Sequence, residues 1–342
     1  MQTAALLRFA GSRERQGETR ENGNGHSTTT TQAWLAAKSC NEMSLLAFSE
    51  QVINGLIIGT FYALTALGLS LIFGVLKIVN FAHGELYMLG GFVYYISASL
   101  LGLPPVAAVL VACAALFLVG MAIEHLLIDP IHRGKVERAD EYAIMITFGL
   151  AILLQNLMLS VFGPWTHRPE AIFRGRIEIG ELIVSGDRLA AAGAGVVLIG
   201  LILYLLRYTW AGKAVRAVSQ DRETAAVVGV NAKLTGMLAF GLGSALAGAA
   251  GALIGPVFLV YPTMGVIPVI KAYVIVVLGG LGSVPGAILG ALILGLVENL
   301  ATVLIPDTTR ALAYKDAYGL VLLVLILVFR PQGLFGEKVR RS

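Results

Sequence analysis

The chain has 342 residues, of which 57% are hydrophobic and only 13% are charged, and its formal net charge is +4. A soluble domain carries about a quarter charged residues, so this composition excludes an ordinary soluble protein. Two isolated cysteines and a modest positive charge give no support to a disulfide framework, a metal site or nucleic-acid binding.

The first 42 residues differ from the rest of the chain. They hold four arginines and a Gly/Asn/Thr-rich run, and they lack an apolar run long enough for a signal-peptide core. This composition predicts a disordered leader over 1–42. We interpret it as a dispensable tail or an artefact of the assigned gene start, with Met43 beginning the working protein.

Beyond Met43, long apolar runs predict membrane-spanning helices, because crossing the ~30 Å hydrocarbon core takes about 20 apolar residues. The runs are continuous rather than alternating, which disfavours a β-barrel. We expect an all-α, polytopic membrane protein of about eight to ten spans, with the transmembrane domain over 43–335 and a basic tail at 336–342. The predicted spans are 46–74, 85–102, 106–128, 142–162, 189–206, 235–257, 266–281, 285–304 and 317–330.

The over-long first run and the glycine-rich break within 266–304 are each candidates for a half-membrane or re-entrant helix. Lysine and arginine predict the orientation of these spans. The segments 129–141, 207–233 and 330–342 carry 12 basic residues, whereas the alternate segments 163–188 and 305–316 carry 6. The positive-inside rule therefore places the first three segments, and the C-terminus, in the cytoplasm.

The segment 207–233 is a basic, polar island between two apolar runs, and its pattern is helical. Asp221, Arg222 and Glu223 are expected to face water in the first turn of a helix, with Ser219 as its N-cap and Gly229 at its end. An apolar stripe is expected on the other face, formed by Val218, Ala225, Ala226 and Val228–Gly229. The pattern alone also fits an ordinary solvated loop.

Several polar residues lie in or near apolar runs, where they are costly. They are candidates for a weakly polar substrate path, with Glu298 the best single one; the alternative is helix-to-helix hydrogen bonding. For Asn80, His83 and Glu85 the alternative is an interfacial turn near Lys77, and a metal site there lacks a fourth ligand. The candidates are Asn54, Asn80, His83, Glu85, Gln155, Asn156, Glu298 and Asn299.

Small residues at Gly282, Gly286 and Gly290 predict a close-packing face on one helix. The glycine-rich run around them lacks the lysine of a phosphate-binding P-loop, and no such motif occurs anywhere in the chain. We therefore expect a chain that is not an enzyme and binds no ATP or other cofactor.

Three stretches together resemble a known family. Glu223–Gly229 is similar to the E-A-A-x-x-x-G motif of ABC-importer permeases, with Thr224 in place of the first alanine. The runs Asn80–Gly91 and Leu278–Leu292, with the tail Arg330–Phe335, resemble the LivH-type permeases of branched-chain amino acid importers. The resemblance covers nearly the whole chain from Phe48.

This resemblance implies a type-II-like ABC importer permease bundle in the bacterial inner membrane. It implies a LivM-type sister permease as heterodimer partner, two cytoplasmic ATPase subunits that hydrolyse the ATP, and a periplasmic amino-acid-binding protein. It also implies that the segment around Glu223 is a coupling helix seated in an ATPase groove. The residues concerned are Arg216, Asp221, Arg222, Glu223, Ala225 and Gly229.

Other functions stand beside this one. A urea or short-amide permease of the same family shares the pattern. A secondary transporter or channel would need ion-coupling carboxylates in the membrane and no docking helix, and the sequence shows few of the former. A membrane-embedded scaffold would make every polar residue a packing residue.

Overall fold

The computed structural model describes the backbone of residues 28–132, 136–173, 175–179, 182–304 and 314–336; side chains are described in these ranges except at 28–47, 132, 177–179, 182–183 and 303–304. The chain divides into two units, residues 1–47 and 48–342. Of the predicted disordered leader, 1–27 lies outside the described residues. The backbone of 28–42 is helical instead, in a stretch containing three alanines and a leucine that favour a helix. Most of the predicted basic tail, 337–342, also lies outside the described residues.

The described part of the chain is almost entirely helical, as the apolar runs predict. The helices are α1 (Thr28–Leu76), α2 (His83–Tyr94), α3 (Pro105–Ile123), α4 (Asp129–His132), α5 (Ala139–Phe162), α6 (Gly186–Tyr208), α7 (Trp210–Gln220), α8 (Arg222–Val227), α9 (Ala232–Ile254), α10 (Val266–Gly279), α11 (Val284–Leu304) and α12 (Lys315–Phe329). π-Helical turns at Tyr95–Leu100 and Glu124–Ile128 extend α2 and α3. A small antiparallel hairpin pairs β1 (Arg176–Ile179) with β2 (Leu182–Ser185), with Arg176 opposite Ser185.

All nine predicted spans coincide with helices, but the helices differ in length. Among the described residues, six are long and apolar enough to cross a membrane. The helices at the other three predicted spans, α2, α10 and α12, have 12, 14 and 15 residues. The over-long first run contains no break, whereas the glycine-rich run separates α10 from α11. The six long segments are Phe48–Leu76, Pro105–Ile131, Ala139–Phe162, Gly186–Tyr208, Ala232–Ile254 and Val284–Thr302.

A non-helical segment, residues 77–82, joins α1 to α2, and Ile78, Asn80 and Ala82 in it are buried. Backbone groups away from water need partners inside the protein. The Asn80 side chain accepts a hydrogen bond from the Ala82 N–H at 3.1 Å, and the Tyr273 hydroxyl donates to the Asn80 carbonyl at 2.7 Å. Asn80 therefore supports a turn that lies inside the bundle, because it is fully buried.

Glycines allow the central helices to approach closely. A Cβ on Gly243 of α9 would lie 2.6 Å from the Gly68 carbonyl oxygen of α1, and one on Gly90 of α2 would overlap the backbone of Gly248. A Cβ on Gly295 of α11 would lie 2.6 Å from the Gly55 carbonyl oxygen. Within a membrane the hydrophobic effect does not drive helices together, so close backbone contact of this kind supplies the energy of helix association.

The glycine face predicted on α11 is present only in part. Gly286 packs against the backbone of Gly279, and a Cβ on Gly290 would lie 3.2 Å from the Ile275 carbonyl oxygen of α10. Gly282 is not on that helix, because α11 begins at Val284. It lies in the preceding turn with φ +79° and faces Gly74.

The path of the chain defines two sides of the bundle. The segment 207–233, called here the basic loop, joins α6 to α9, and we call its side of the membrane the loop side. The end of α1 lies there, because Leu76 contacts Gly236. The tail is also there, since Phe335 N–H bonds to the Gly279 carbonyl beside the turn that faces Gly74. Helix α9 carries the chain to the opposite, far side.

Candidate functional site

The basic loop consists of two short helices whose starts, and that of the following helix, are capped by side chains. Thr209, Asp221 and Asn231 precede α7, α8 and α9. Each accepts hydrogen bonds from backbone N–H groups two or three residues later, at 2.9 to 3.2 Å. Capping satisfies donors that the helix itself leaves unpaired, so the loop has a defined conformation between two long helices.

Asp221, rather than the predicted Ser219, caps α8. Ser219 lies within α7, and its hydroxyl donates to the Arg216 carbonyl at 2.8 Å. The chain leaves the helical conformation at Asp221, whose carboxylate also accepts the Thr224 hydroxyl at 2.8 Å. Hydrogen bonds from Thr224, first through its backbone, and from the Glu223 N–H hold the pKa of Asp221 below its usual value. The threonine that departs from the family motif therefore reinforces the cap.

Gly229 ends α8 in a left-handed conformation, with φ +89°. Its N–H bonds to the Ala226 carbonyl at 3.1 Å, and the Val230 N–H bonds to the Ala225 carbonyl at 3.0 Å. This pair of bonds is the Schellman pattern, which favours glycine. The structure thus gives the motif glycine a conformational role.

The predicted apolar stripe is divided between two faces. Val218 and Ala225 are buried against the bundle, with exposed fractions of 2% and 4%. Ala226 is exposed, and the Val227 and Val228 side chains are 87% and 73% exposed. Glu223 is also exposed on α8. The loop therefore presents a small surface of two acids, Asp221 and Glu223, and apolar side chains away from the bundle.

Arg222 turns toward the bundle instead of facing water. Its guanidinium and Glu124 both lie near Gly236 of α9: a Cβ there would lie 3.8 Å from Arg222 Nη1 and 3.0 Å from Glu124 Oε1. Burial lowers the pKa of Arg222, and the carboxylates of Glu124 and Asp129 oppose that shift. Asp129 also pairs with Lys233 at 3.3 Å. We call these four residues, Arg222, Lys233, Glu124 and Asp129, the loop clamp.

Arg216 holds the other end of the basic loop. Its guanidinium donates to the Leu206 carbonyl at the end of α6. A cation at the C-terminal end of a helix complements the helix dipole. Of the six predicted coupling residues, Arg216 and Arg222 therefore contact the bundle, Asp221 and Gly229 shape α8, Ala225 is buried, and Glu223 is exposed.

The predicted path residues fall into separate groups. Asn80, His83 and Glu85 are buried together at the start of α2, where His83 Nε2 lies 3.0 Å from the Thr65 carbonyl oxygen. Asn54 accepts a hydrogen bond from Arg188 at 3.4 Å. Gln155 and Asn156 lie on α5, the least buried of the long helices.

Glu298 and Asn299 belong to a cluster of charged and polar residues. Lys271 Nζ lies 2.6 Å from Glu298 Oε1 and 2.9 Å from Asp316 Oδ1. The Tyr62 hydroxyl donates to the other Glu298 oxygen at 3.0 Å, and Lys315 donates to the Asn299 amide oxygen at 3.3 Å. We call Tyr62, Lys271, Glu298, Asn299, Lys315 and Asp316 the charge cluster.

Sequence reasoning missed four of these six residues. Tyr62 looks like an ordinary residue of an apolar helix, and Lys315 and Asp316 lie just before the predicted span 317–330. Lys271 offers the one usable signal, because it is the only charged residue in the predicted span 266–281. A charge at such a position calls for a partner, and Glu298 is the carboxylate nearest to it.

Comparison with known proteins identifies relatives along most of the chain. Residues 51–329 match a protein family described as the permease component of branched-chain amino acid transport systems. The high-affinity branched-chain amino acid transport system permease protein BraD of Pseudomonas aeruginosa is 32% identical over 85% of this chain and 96% of its own length. The corresponding permease protein LivH of Escherichia coli K12 is 30% identical over the same shares.

Two other matches differ in coverage. A probable branched-chain amino acid transport permease protein LivH of Methanocaldococcus jannaschii is 27% identical over 85% of this chain and 95% of its own length. The fructose import permease protein FrcC of Rhizobium meliloti is 37% identical, over only 29% of this chain and 30% of its own length. No solved structure matches the chain significantly.

Proposed function

The chain belongs to the family of branched-chain amino acid transport permeases, and we propose that it is the membrane-spanning subunit of an ATP-driven importer for branched-chain or similar hydrophobic amino acids. Full-length similarity to BraD and LivH supports this function. The chain supplies the path and hydrolyses no ATP itself. We place it in the inner membrane of a bacterium, with the loop side and the C-terminus in the cytoplasm, where the excess of basic residues predicts them.

The proposed partners are two ATPase subunits on the loop side, a sister permease as heterodimer partner, and a binding protein on the far side. The single observation that carries the ATPase contact is the form of the basic loop. The second of its two capped helices, α8, and the residue after it present Glu223, Val227 and Val228 outward. An exposed acid beside apolar side chains on a short rigid helix suits insertion into a groove of a soluble partner.

The loop clamp supports a route by which motion of the ATPases reaches the membrane helices. The ends of the basic loop continue into α6 and α9. Arg222 and Lys233 bring the loop against Glu124, in the π-helical extension of α3, and Asp129, at the start of α4. Three long helices therefore meet the loop, and ATP-driven movement of α8 would shift them together. Such a shift would change the bundle from inward-facing to outward-facing.

Charge reversal at Glu223 tests this function. In cells expressing the complete importer, we expect Glu223→Lys to abolish leucine uptake while the protein remains in the membrane. Glu141→Lys is the matched control, because Glu141 is an exposed acid on the loop side but lies outside the basic loop. Unchanged uptake in Glu223→Lys would remove the coupling role of α8, and ATP-independent transport would favour a secondary transporter or channel.

A further inference from the structure

A cavity beside the charge cluster opens on the far side of the bundle. Its volume is about 320 Å³, at the small end of the range for ligand pockets. Residues from the connection after α9, including Phe258 and Tyr261, form part of its wall, as does the start of α12. Substrate delivered from the far side would meet this cavity before the centre of the bundle.

The wall of the cavity has two chemically distinct parts. One part is apolar and aromatic, and includes Ile58, Phe258 and Met264. The other part is formed by Lys271, Lys315 and Asp316 together with the Tyr62 ring. A few charged groups on an otherwise apolar wall are typical of small-molecule sites, where the charges fix the orientation of the ligand.

The charged residues in and beside this wall differ in their exposure and in their capacity for further hydrogen bonds. Glu298 is 1% exposed, and its ion pair with Lys271 is further held by the Tyr62 hydroxyl. The Asp316 side chain, in contrast, is 69% exposed while it contacts Lys271. Asp316 can therefore accept further hydrogen bonds without losing Lys271. Lys315 donates to an amide oxygen, which leaves its ammonium group two further hydrogens.

We infer that this cavity is a low-affinity subsite for an amino acid zwitterion with an apolar side chain. The Asp316 carboxylate accepts the α-ammonium group, the Lys315 ammonium group binds the α-carboxylate, and the apolar wall contacts the side chain. Among the described residues, the charge cluster is balanced, with two lysines and two acids. A zwitterion keeps that balance, whereas a ligand with one charge would leave an uncompensated charge near the membrane interior.

This inference rests on the proposed function and specifies its substrate class. Urea and short amides carry no charges, so they would gain little from Asp316 and Lys315. The Lys271–Glu298 pair serves as a positioning pair in this scheme, because it holds α10 against α11 and fixes Asp316 through Lys271.

The test measures direct binding of L-leucine to the purified importer complex, without its binding protein, by saturation-transfer NMR. We expect Asp316→Asn and Lys315→Gln each to weaken binding about tenfold or more, as for loss of one charge-assisted hydrogen bond. Glu50→Gln is the control, because Glu50 is an exposed acid outside this cavity. Lys315→Arg should retain most of the binding, since it keeps the charge.

A second measurement uses the unaltered complex and does not depend on folding of the variants. We expect 4-methylvalerate, which lacks the ammonium group, and isoamylamine, which lacks the carboxylate, each to bind at least tenfold more weakly than leucine. Equal binding of all three compounds, or unchanged leucine binding in both charge variants, would overturn the subsite. Because basal ATPase activity is recorded on the same samples, a complex that hydrolyses ATP but fails these tests would refute only this inference.

Discussion

The loop clamp and the charge cluster both bury carboxylates, but they use them differently. In the loop clamp, Glu124 and Asp129 are 0% and 3% exposed, and their basic partners reach them from the basic loop and the start of α9. In the charge cluster, the buried pair of Lys271 and Glu298 joins two membrane helices, and a second acid, the exposed Asp316, lies beside a cavity. The first set joins a surface loop to the bundle, whereas we propose that the second retains charge for a ligand.

The largest expected effect is the loss of stability when the buried Lys271–Glu298 pair is broken. Glu298→Gln leaves the buried Lys271 ammonium with only the exposed Asp316 as its acid partner, and we expect it to lower the free energy of unfolding by up to about 3–5 kcal/mol. The double variant Lys271→Met with Glu298→Gln should recover most of that loss, because no buried charge remains. Titration with a denaturing detergent measures both. A double variant as unstable as Glu298→Gln would show that the loss does not come from the charge left on Lys271.

A smaller effect is expected at the loop clamp. Arg222 is only half-buried, so Arg222→Ala should cost about 1–3 kcal/mol of stability through the carboxylates left behind. We expect Arg222→Ala to affect transport more than stability, because ATP hydrolysis would no longer be tightly linked to uptake. Lys213→Ala, which removes an exposed base from the same loop, is the control. A normal ratio of leucine transported to ATP hydrolysed in Arg222→Ala would remove the clamp from the coupling route.

The smallest effect concerns the end of α8. A side chain at Gly229 would meet no atom of the described residues within 4 Å, but the positive φ there is unfavourable for other residues. Gly229→Ala should therefore cost about 1–2 kcal/mol, through conformation alone. Gly200→Ala in α6 also enters open space but has no positive φ, so it should be neutral or slightly stabilising. Equal stability of the two variants would contradict the conformational role of Gly229.

The sequence predicts the helices well and their tertiary contacts poorly. A membrane-spanning helix requires a long apolar run, which is visible in the sequence, and every predicted span is helical. The cap at Asp221 was missed because Ser219 and Asp221 are both good caps, and only the end of α7 decides between them. The inward turn of Arg222 depends on Glu124 and Asp129, which lie about ninety residues away and give no local signal.

The charge cluster shows the same limit. Glu298 and Asn299 can be selected from the sequence because they are polar within an apolar run. Their partners come from three other helices, and no spacing rule connects them. Gly282 shows the reverse error: its spacing fits a helix face, but its positive φ places it in a turn.

The central claim is that the basic loop seats an ATPase. Its most direct test is to co-express the chain with its genomic neighbours, purify it in mild detergent, and identify what co-purifies by mass spectrometry. We expect recovery of an ATPase with a P-loop, and loss of that subunit in Glu223→Lys but not in Glu141→Lys. Absence of any ATPase from the intact protein, with leucine transport persisting in vesicles without ATP, would contradict the claim.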